Sequence, residues 1–324
     1  MSSPRQRPLV LDHLRSFEAV ARRAGFGAAA DELHVTQSAV SRQIKSLEDE
    51  LGAPLFTRGA RRVELTQAGQ TLLRAITPAL ARIDGAVRQI RAARGRAQVS
   101  LSTFPSFASL WLLPRLPAFE RLQPSIDIRI SAVDRLVDLD DPDHDLLLRQ
   151  SRPEDVPPGA RRLFGEVITP VIGLSLADAI ARGLAPPLQR PADLAQCTLI
   201  EMEDDRPGSE LHGWQHWLAQ AGHPHLAPRR WISVNFTHQQ VQTALAGQGV
   251  ALARLPLVHD ALARGDLIEP FGREGRLGST YAYWHIPLAN ARPRDELDSF
   301  TLWLEDAARE TREAIGDDGV RAPA

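Results

Sequence analysis

Ser38, Ser41, Arg42 and Lys45 follow one another at steps of three, one and three, so on a helix they share a face. Val40, Ile44, Leu47 and Leu51, at steps of four, three and four, fall on another. The polar face has small hydroxyls at its N-terminal end and cations further along. Small hydroxyls permit close approach, and an arginine can grip guanine O6 and N7 with two parallel hydrogen bonds. The face therefore has the chemistry to enter a major groove. A solvated amphipathic helix has the same periodicity, so the neighbouring segments must decide between them.

Those neighbours are the elements that would position such a helix. Leu11, Leu14, Phe17, Val20 and Ala21 predict an amphipathic helix over 11–24, stopped by Gly25. A short helix over about 28–33 follows, with Phe26, Ala29, Ala30 and Leu33 inward. The turn His34-Val35-Thr36 suits both its tasks: histidine tolerates a left-handed backbone, and threonine caps the next helix, over 37–50. Two helices joined by a three- or four-residue turn make a helix-turn-helix. Beyond it, Thr57 to Thr66 reads as two short extended runs around a glycine turn. That hairpin wing offers Arg58, Arg61 and Arg62 to a phosphate backbone.

The composition is compatible. The chain has 324 residues, 43% hydrophobic and 24% charged, and one cysteine, Cys197. That length predicts two or three domains, and the cysteine count excludes a disulfide framework. No apolar run reaches membrane-spanning length and no apolar segment follows the basic N-terminus, so a cytoplasmic protein without a membrane partner is expected. The net charge of −2 hides an asymmetry. Residues 1–95 hold 15 Arg and Lys against 9 Asp and Glu, a net of +6, and the remainder is net −8. A basic N-terminal unit on an acidic body is the electrostatic footprint of a nucleic-acid partner.

Leu73, Ile76, Leu80, Ile83, Val87 and Ile90 step by three and four alternately, a heptad seam that predicts pairing with a second copy of the chain through a helix over 67–95. Pro78 lies inside the seam and is expected to kink the helix near 74–78. After Gly95, strands are predicted at 99–102, 126–130, 146–149, 168–173, 199–201, 231–234 and 249–252. Helices about 107–122, 135–140, 175–182, 210–221, 238–246 and 295–313 alternate with them, so a largely parallel sheet is expected. Ligands of open α/β sheets bind beyond the carboxyl ends of strands. That rule singles out Thr103, Ser106, Val133-Asp134-Arg135 and Arg149 in the first half, and Met202, Glu203, Asn235, Phe236 and Thr237 in the second. Hydroxyls at a helix start suit an anion, and Arg149 could pair with a carboxylate.

Several of these segments resemble one family. Phe17-Glu18-Ala19-Val20-Ala21, Ala29-Ala30-Asp31-Glu32-Leu33, Val35 to Ile44, Leu55-Phe56-Thr57-Arg58 and Leu65-Thr66-Gln67-Ala68-Gly69 resemble the winged helix-turn-helix of LysR-type transcriptional regulators. Thr103 to Pro114, Ala244 to Leu252 and Leu267 to Phe271 are similar to the branch containing the glycine-cleavage activator and the chromosomal β-lactamase regulator. Gly27-Ala28 depart from the family's more polar residues after Phe26, and Asp140 to Gly159 from its usual glycine-bearing loops. The resemblance places Gln37, Ser38, Ser41, Arg42 and Lys45 on the DNA-reading helix and the three arginines on the wing. It implies a winged domain over 1–66, a dimerising linker helix over 67–95, and a domain over 96–314 of two Rossmann-like subdomains, as in periplasmic binding proteins. Subdomain I would be about 96–167 and 273–314, subdomain II about 168–272, and 315–324 a disordered tail. The implied partners are double-stranded DNA with an inverted repeat, a small effector between the subdomains, a homodimer or homotetramer, and RNA polymerase.

An enzyme reading finds less support. His212 and His216 stand four apart with His223 and His225 nearby, but no glutamate lies between them, so no metal site is expected. Gly247-Gln248-Gly249 lacks a third glycine and precedes a strand, so no dinucleotide cofactor is expected either. The alternative is a solute-binding or small-molecule-converting α/β protein with an accessory DNA-binding unit, and it requires a catalytic constellation that the sequence does not display.

Overall fold

The computed structural model describes residues 9–58, 63–92, 97–134, 139, 141, 143–204, 208–288 and 294–317. The chain divides into two compact units, Met1–Arg91 and Ala92–Ala324.

In the first unit, helices α1 (Leu11–Arg23), α2 (Phe26–Leu33) and α3 (Gln37–Leu51) precede an antiparallel hairpin, β1 (Phe56–Arg58) and β2 (Val63–Leu65), and then α4 (Gln67–Ala92). Ala24 and His34, at φ 52° and 55°, end α1 and α2 in the left-handed region. Thr36 caps α3, its Oγ1 accepting from the Ala39 N–H at 3.2 Å. Phe17, Val20, Val40, Ile44, Leu47 and Leu55 form a buried core, with the Phe56 ring 5.2 Å from Phe17 and 5.9 Å from Phe26.

The linker seam differs from the expectation. Ile76 and Leu80 are buried in the unit's own core and Leu73 packs against it, while Ile83 and Val87 stay 40% and 38% exposed. The first half of α4 covers the apolar side of the winged fold. The Ile90 side chain and residues 93–96 lie outside the described residues. The helix continues through Pro78, whose ring leaves the Arg74 carbonyl without its usual donor. An ion pair ties α4 to α1, with Arg15 Nη1 3.2 Å from Asp84 Oδ2.

The second unit contains β3 (Ala97–Thr103), α5 (Pro105–Phe107) continuing as a wider turn over Ala108–Leu112, α6 (Leu116–Leu122), β4 (Ile126–Ala132), β5 (Leu146–Ser151) and β6 (Arg161–Gly173). It continues with α7 (Leu174–Ala181), β7 (Thr198–Met202), α8 (Trp214–Gln220), β8 (Arg230–Val234), α9 (Thr237–Leu245), β9 (Val250–Arg254) and α10 (Leu255–Arg264). The strands β10 (Leu267–Ile268) and β11 (Leu277–Pro287) and the helix α11 (Asp295–Ile315) complete it. The helix expected over 135–140 falls largely outside the described residues, as does most of the tail.

The sheet runs β4-β3-β5-β11-β6-β9-β7-β8, with β10 on β6. The expectation of a largely parallel sheet holds only toward its edges. β3 pairs parallel with β4 and β5, and β7 with β8 and β9, whereas β11 and β6 run antiparallel to each other and to β5 and β9. The two long central strands carry the chain between two lobes and must cross in opposite directions. One lobe packs Val99, Leu101, Trp111, Phe119, Phe300 and Leu304 together. The other buries Leu194, Leu199, Trp214, Trp217 and Val250.

Candidate nucleic-acid and effector sites

In the first unit, Gln37, Ser38, Ser41, Arg42 and Lys45 are all exposed on α3, and Val40, Ile44 and Leu47 are buried behind them. Gln43 anchors the helix from its flank, its Oε1 accepting from Ser16 Oγ on α1 at 2.6 Å. Glu48 accepts from the Leu55 N–H at 2.7 Å and so fixes the start of the hairpin relative to α3. Arg58 sits in β1 opposite Val63, while Arg61 and Arg62 lie outside the described residues. Arg22 and Arg23 are committed within the protein, since both bond Glu32 and hold its carboxyl down to about 2.

In the second unit, the ends of β3 and β5 in one lobe face the ends of β7, β8 and β9 in the other across a cleft of about 410 Å³, counting its open mouth. Phe104, Ser106, Asp134 and Gln150 line one wall, Met202, Asn235, Phe236 and Thr237 the other, and Arg254, Leu257 and Tyr283 the floor. The lobes touch where Ser106 Oγ accepts from the His238 N–H at 3.2 Å and lies 3.3 Å from His238 Nδ1. The floor is a buried polar knot. Arg254 Nη1 reaches the Glu166 carboxylate at 3.0 Å, Gln150 Nε2 also donates to it, and the Tyr283 hydroxyl faces it. Glu166 has no exposed side-chain surface, and burial raises its pKa in spite of the guanidinium beside it. Arg254 Nε donates to Thr237 Oγ1 at 3.2 Å, which links the knot to the start of α9.

Of the residues expected around an effector, Ser106, Asp134, Met202, Asn235, Phe236 and Thr237 meet in this cleft. Thr103 is fully buried at the end of β3, its hydroxyl without a hydrogen-bond partner among the described residues. Glu203 is exposed and does not line the cleft, and Arg135 lies outside the described residues. Arg149 is not in the wall. It sits between Leu148 and Gln150 on a strand whose successive side chains alternate in face, so it points opposite to Gln150. There it donates to Ser102 Oγ at 2.8 Å and to the Leu148 carbonyl at 2.9 Å, with Phe104 5.1 Å away. Burial brings its pKa down to about 10. Gln150, Arg254, Glu166 and Tyr283 join the site from four strands with no spacing signal to announce them.

The helix expected about 210–221 breaks at Gly213, with a single turn over Ser209–His212 before it. His212 and His216 therefore do not share a helix face, and His212 Nε2 instead lies 3.0 Å from Ser279 Oγ. Among the described residues no helix is long and apolar enough to cross a membrane.

Comparison with known proteins agrees with this arrangement. Residues 11–70 match the bacterial regulatory helix-turn-helix protein, lysR family, and residues 92–304 match the LysR substrate binding domain. The chain is 37% identical over 296 residues to the glycine cleavage system transcriptional activator of Escherichia coli K12, covering 91% of this chain and 92% of that protein. It is 34% identical over 306 residues to the transcriptional activator AmpR of Pseudomonas aeruginosa, covering 94% and 98%. The solved effector domain of that AmpR superposes with a TM-score of 0.51 at 27% identity, covering 68% of this chain and 98% of that one. The fold also matches CbnR, a LysR family transcriptional regulator, with a TM-score of 0.60 over 92% of this chain and 98% of that one. A winged helix-turn-helix with its polar helix face exposed, followed by a two-lobed α/β domain around a cleft, thus has its counterpart along nearly the whole length of these proteins, and the chain belongs to the LysR family of DNA-binding transcriptional regulators with an effector-binding domain.

Proposed function

We propose that this regulator acts in the cytoplasm as a homodimer or homotetramer, reads an inverted-repeat promoter site with paired α3 helices, and passes its effector state to RNA polymerase. Arg42, with Gln37 and Ser38, would do most of the base reading, Lys45 and Ser41 would extend the contact, and the wing arginines would supply salt-sensitive phosphate affinity. The exposed Ile83 and Val87 on the second half of α4 support pairing with another copy.

The effector is best read as a small polar molecule with a compact apolar part. The observation that carries this is the convergence of Ser106, Gln150, Thr237 and Arg254 on one cavity bordered by Phe104 and Phe236. A molecule entering there competes with the Ser106–His238 bridge between the lobes, so it favours one lobe arrangement over the other through differential contacts.

The experiment is selection of genomic fragments by the full-length protein, followed by footprinting at two salt concentrations. A discrete twofold-symmetric site that weakens steeply with salt is expected. Featureless binding would overturn the base-reading assignment. A thermal-shift screen of small carboxylates and amides then tests the cleft, and the stabilising compound should lose its effect in Ser106→Ala and Thr237→Val.

A further inference from the structure

The strands β7, β8 and β9 lead to the effector cleft at one end and border a second cavity at the other. Met202, Asn235 and Arg254 stand at the cleft end, and Thr198, Arg230 and Gly249 at the far end. About four residues of extended chain, on the order of 13 Å, separate the two. The far cavity is half open and holds about 430 Å³, within the range that takes small-molecule ligands.

Its walls are amphipathic in an ordered way. Leu176 and Ile180 of α7, with Ala185 and Pro186 behind them, form an apolar side. Arg229 and Arg230 border the cavity as exposed cations, and neither guanidinium has a partner among the described residues. The turn at Gly247 to Gly249 closes the base. A Cβ at Gly247 (φ +72°) would meet Ser175 Oγ at 2.4 Å, and one at Gly249 would meet the Thr198 carbonyl at 2.4 Å. Glycine is needed at both for the turn to lie flush against α7 and β7. Cys197, half-buried, lines the same cavity, its thiol directed to the Asp193 carbonyl at 3.6 Å.

We propose that this cavity is a second ligand site, separate from the cleft, and that it takes a small carboxylate with an apolar tail. The tail lies against Leu176, Ile180 and Pro186, and the carboxylate is held by Arg229 and Arg230, whose planar forks match its geometry. Dispersed surface arginines carry no such meaning. Two adjacent unpaired ones at the rim of an apolar-walled cavity of ligand size do.

Cys197 is the single cysteine of the chain, so its alkylation reports on this cavity alone. The test measures the rate of N-ethylmaleimide labelling of the full-length protein with octanoate and with octanamide, its uncharged counterpart. The pH is kept alkaline because burial raises the thiol pKa. Octanoate is expected to slow labelling saturably, with half-protection near ~1 mM, and octanamide at least ~10-fold less effectively. In the double variant R229Q/R230Q the half-protection concentration should rise ~10-fold or more, whereas Thr237→Val in the cleft should leave it unchanged. Calorimetric titration of octanoate into the same proteins gives the same discrimination without relying on thiol reactivity. Absence of binding, equal protection by octanamide, or insensitivity to R229Q/R230Q would each overturn the proposal. Loss of protection in Thr237→Val would place octanoate in the cleft and overturn it too.

Discussion

Replacing Arg254 with methionine removes the cation that faces Glu166 while keeping a side chain of similar reach. In the native protein the guanidinium lies 3.0 Å from a carboxylate with no exposed surface, and the guanidinium side chain is itself only 8% exposed. Deleting one partner of a buried pair costs about 3–5 kcal/mol, because the other charge is left desolvated without compensation. The cost must depend on pH, and its sign follows from the direction in which Glu166 is shifted. Burial raises its pKa above the unfolded value even with Arg254 present. A raised carboxyl binds its proton more tightly folded than unfolded, so its contribution is most favourable below the unfolded pKa of about 4.3 and is lost as pH rises through the folded pKa. Without Arg254 the folded pKa climbs further. The penalty of R254M should therefore be smallest at acid pH and grow as pH rises, by up to about 1.4 kcal/mol per pH unit. All six tryptophans, at 111, 214, 217, 231, 284 and 303, lie in the second unit, so urea unfolding followed by tryptophan fluorescence isolates its transition. The double variant R254M/E166Q should recover most of the loss. A penalty that does not grow with rising pH, or no rescue by E166Q, would refute the view that an uncompensated Glu166 charge is its origin.

Arg42→Ala should weaken binding to the specific site by about 1–3 kcal/mol and leave binding to random DNA nearly unchanged, as competition titrations would reveal. Thr36→Ala removes the cap on α3 and should cost about 1 kcal/mol of first-unit stability, visible in circular dichroism melting but not in tryptophan fluorescence. The double substitution Ile83→Glu/Val87→Glu should shift the protein toward monomer in sedimentation at micromolar concentration. The first unit should stay folded, since neither side chain belongs to its core, and its melting temperature should lose the concentration dependence that pairing confers.

The winged unit was legible because its signals are local. The α3 faces separate by period within fifteen residues, and the His34–Thr36 turn follows from what each residue's backbone and hydroxyl can do. The α/β character of the second unit was legible from its apolar runs. The crossing strands were not. The first half of β6 opens with Arg161-Arg162, and β11 carries Gly278-Ser279-Thr280 near its start at an irregular register, so neither sequence shows clean apolar alternation. The cleft floor was illegible for a further reason. Gln150, Glu166, Arg254 and Tyr283 come from four separate strands, and each alone reads as a polar residue on a solvated face. Arg149 illustrates how narrow the margin is. One residue along a strand is the difference between the cleft wall and the opposite side of the sheet.

The antiparallel crossing also orders events during synthesis. β5 ends at Ser151 and takes as its neighbour β11, which begins at Leu277, and the core around Phe119 closes only when Phe300 of α11 arrives. At about 5–20 residues per second, the ribosome needs roughly 6–25 s to make the intervening chain. During that interval the winged unit is complete, while Leu146-Leu147-Leu148 forms an unpaired apolar strand edge, a template for wrong pairing. A nascent or prematurely ended chain that stops before residue 277 thus carries a finished winged fold on a first lobe that cannot close. Full-length yield in the cell should be set more by protection of that edge on the ribosome than by the stability of the finished protein.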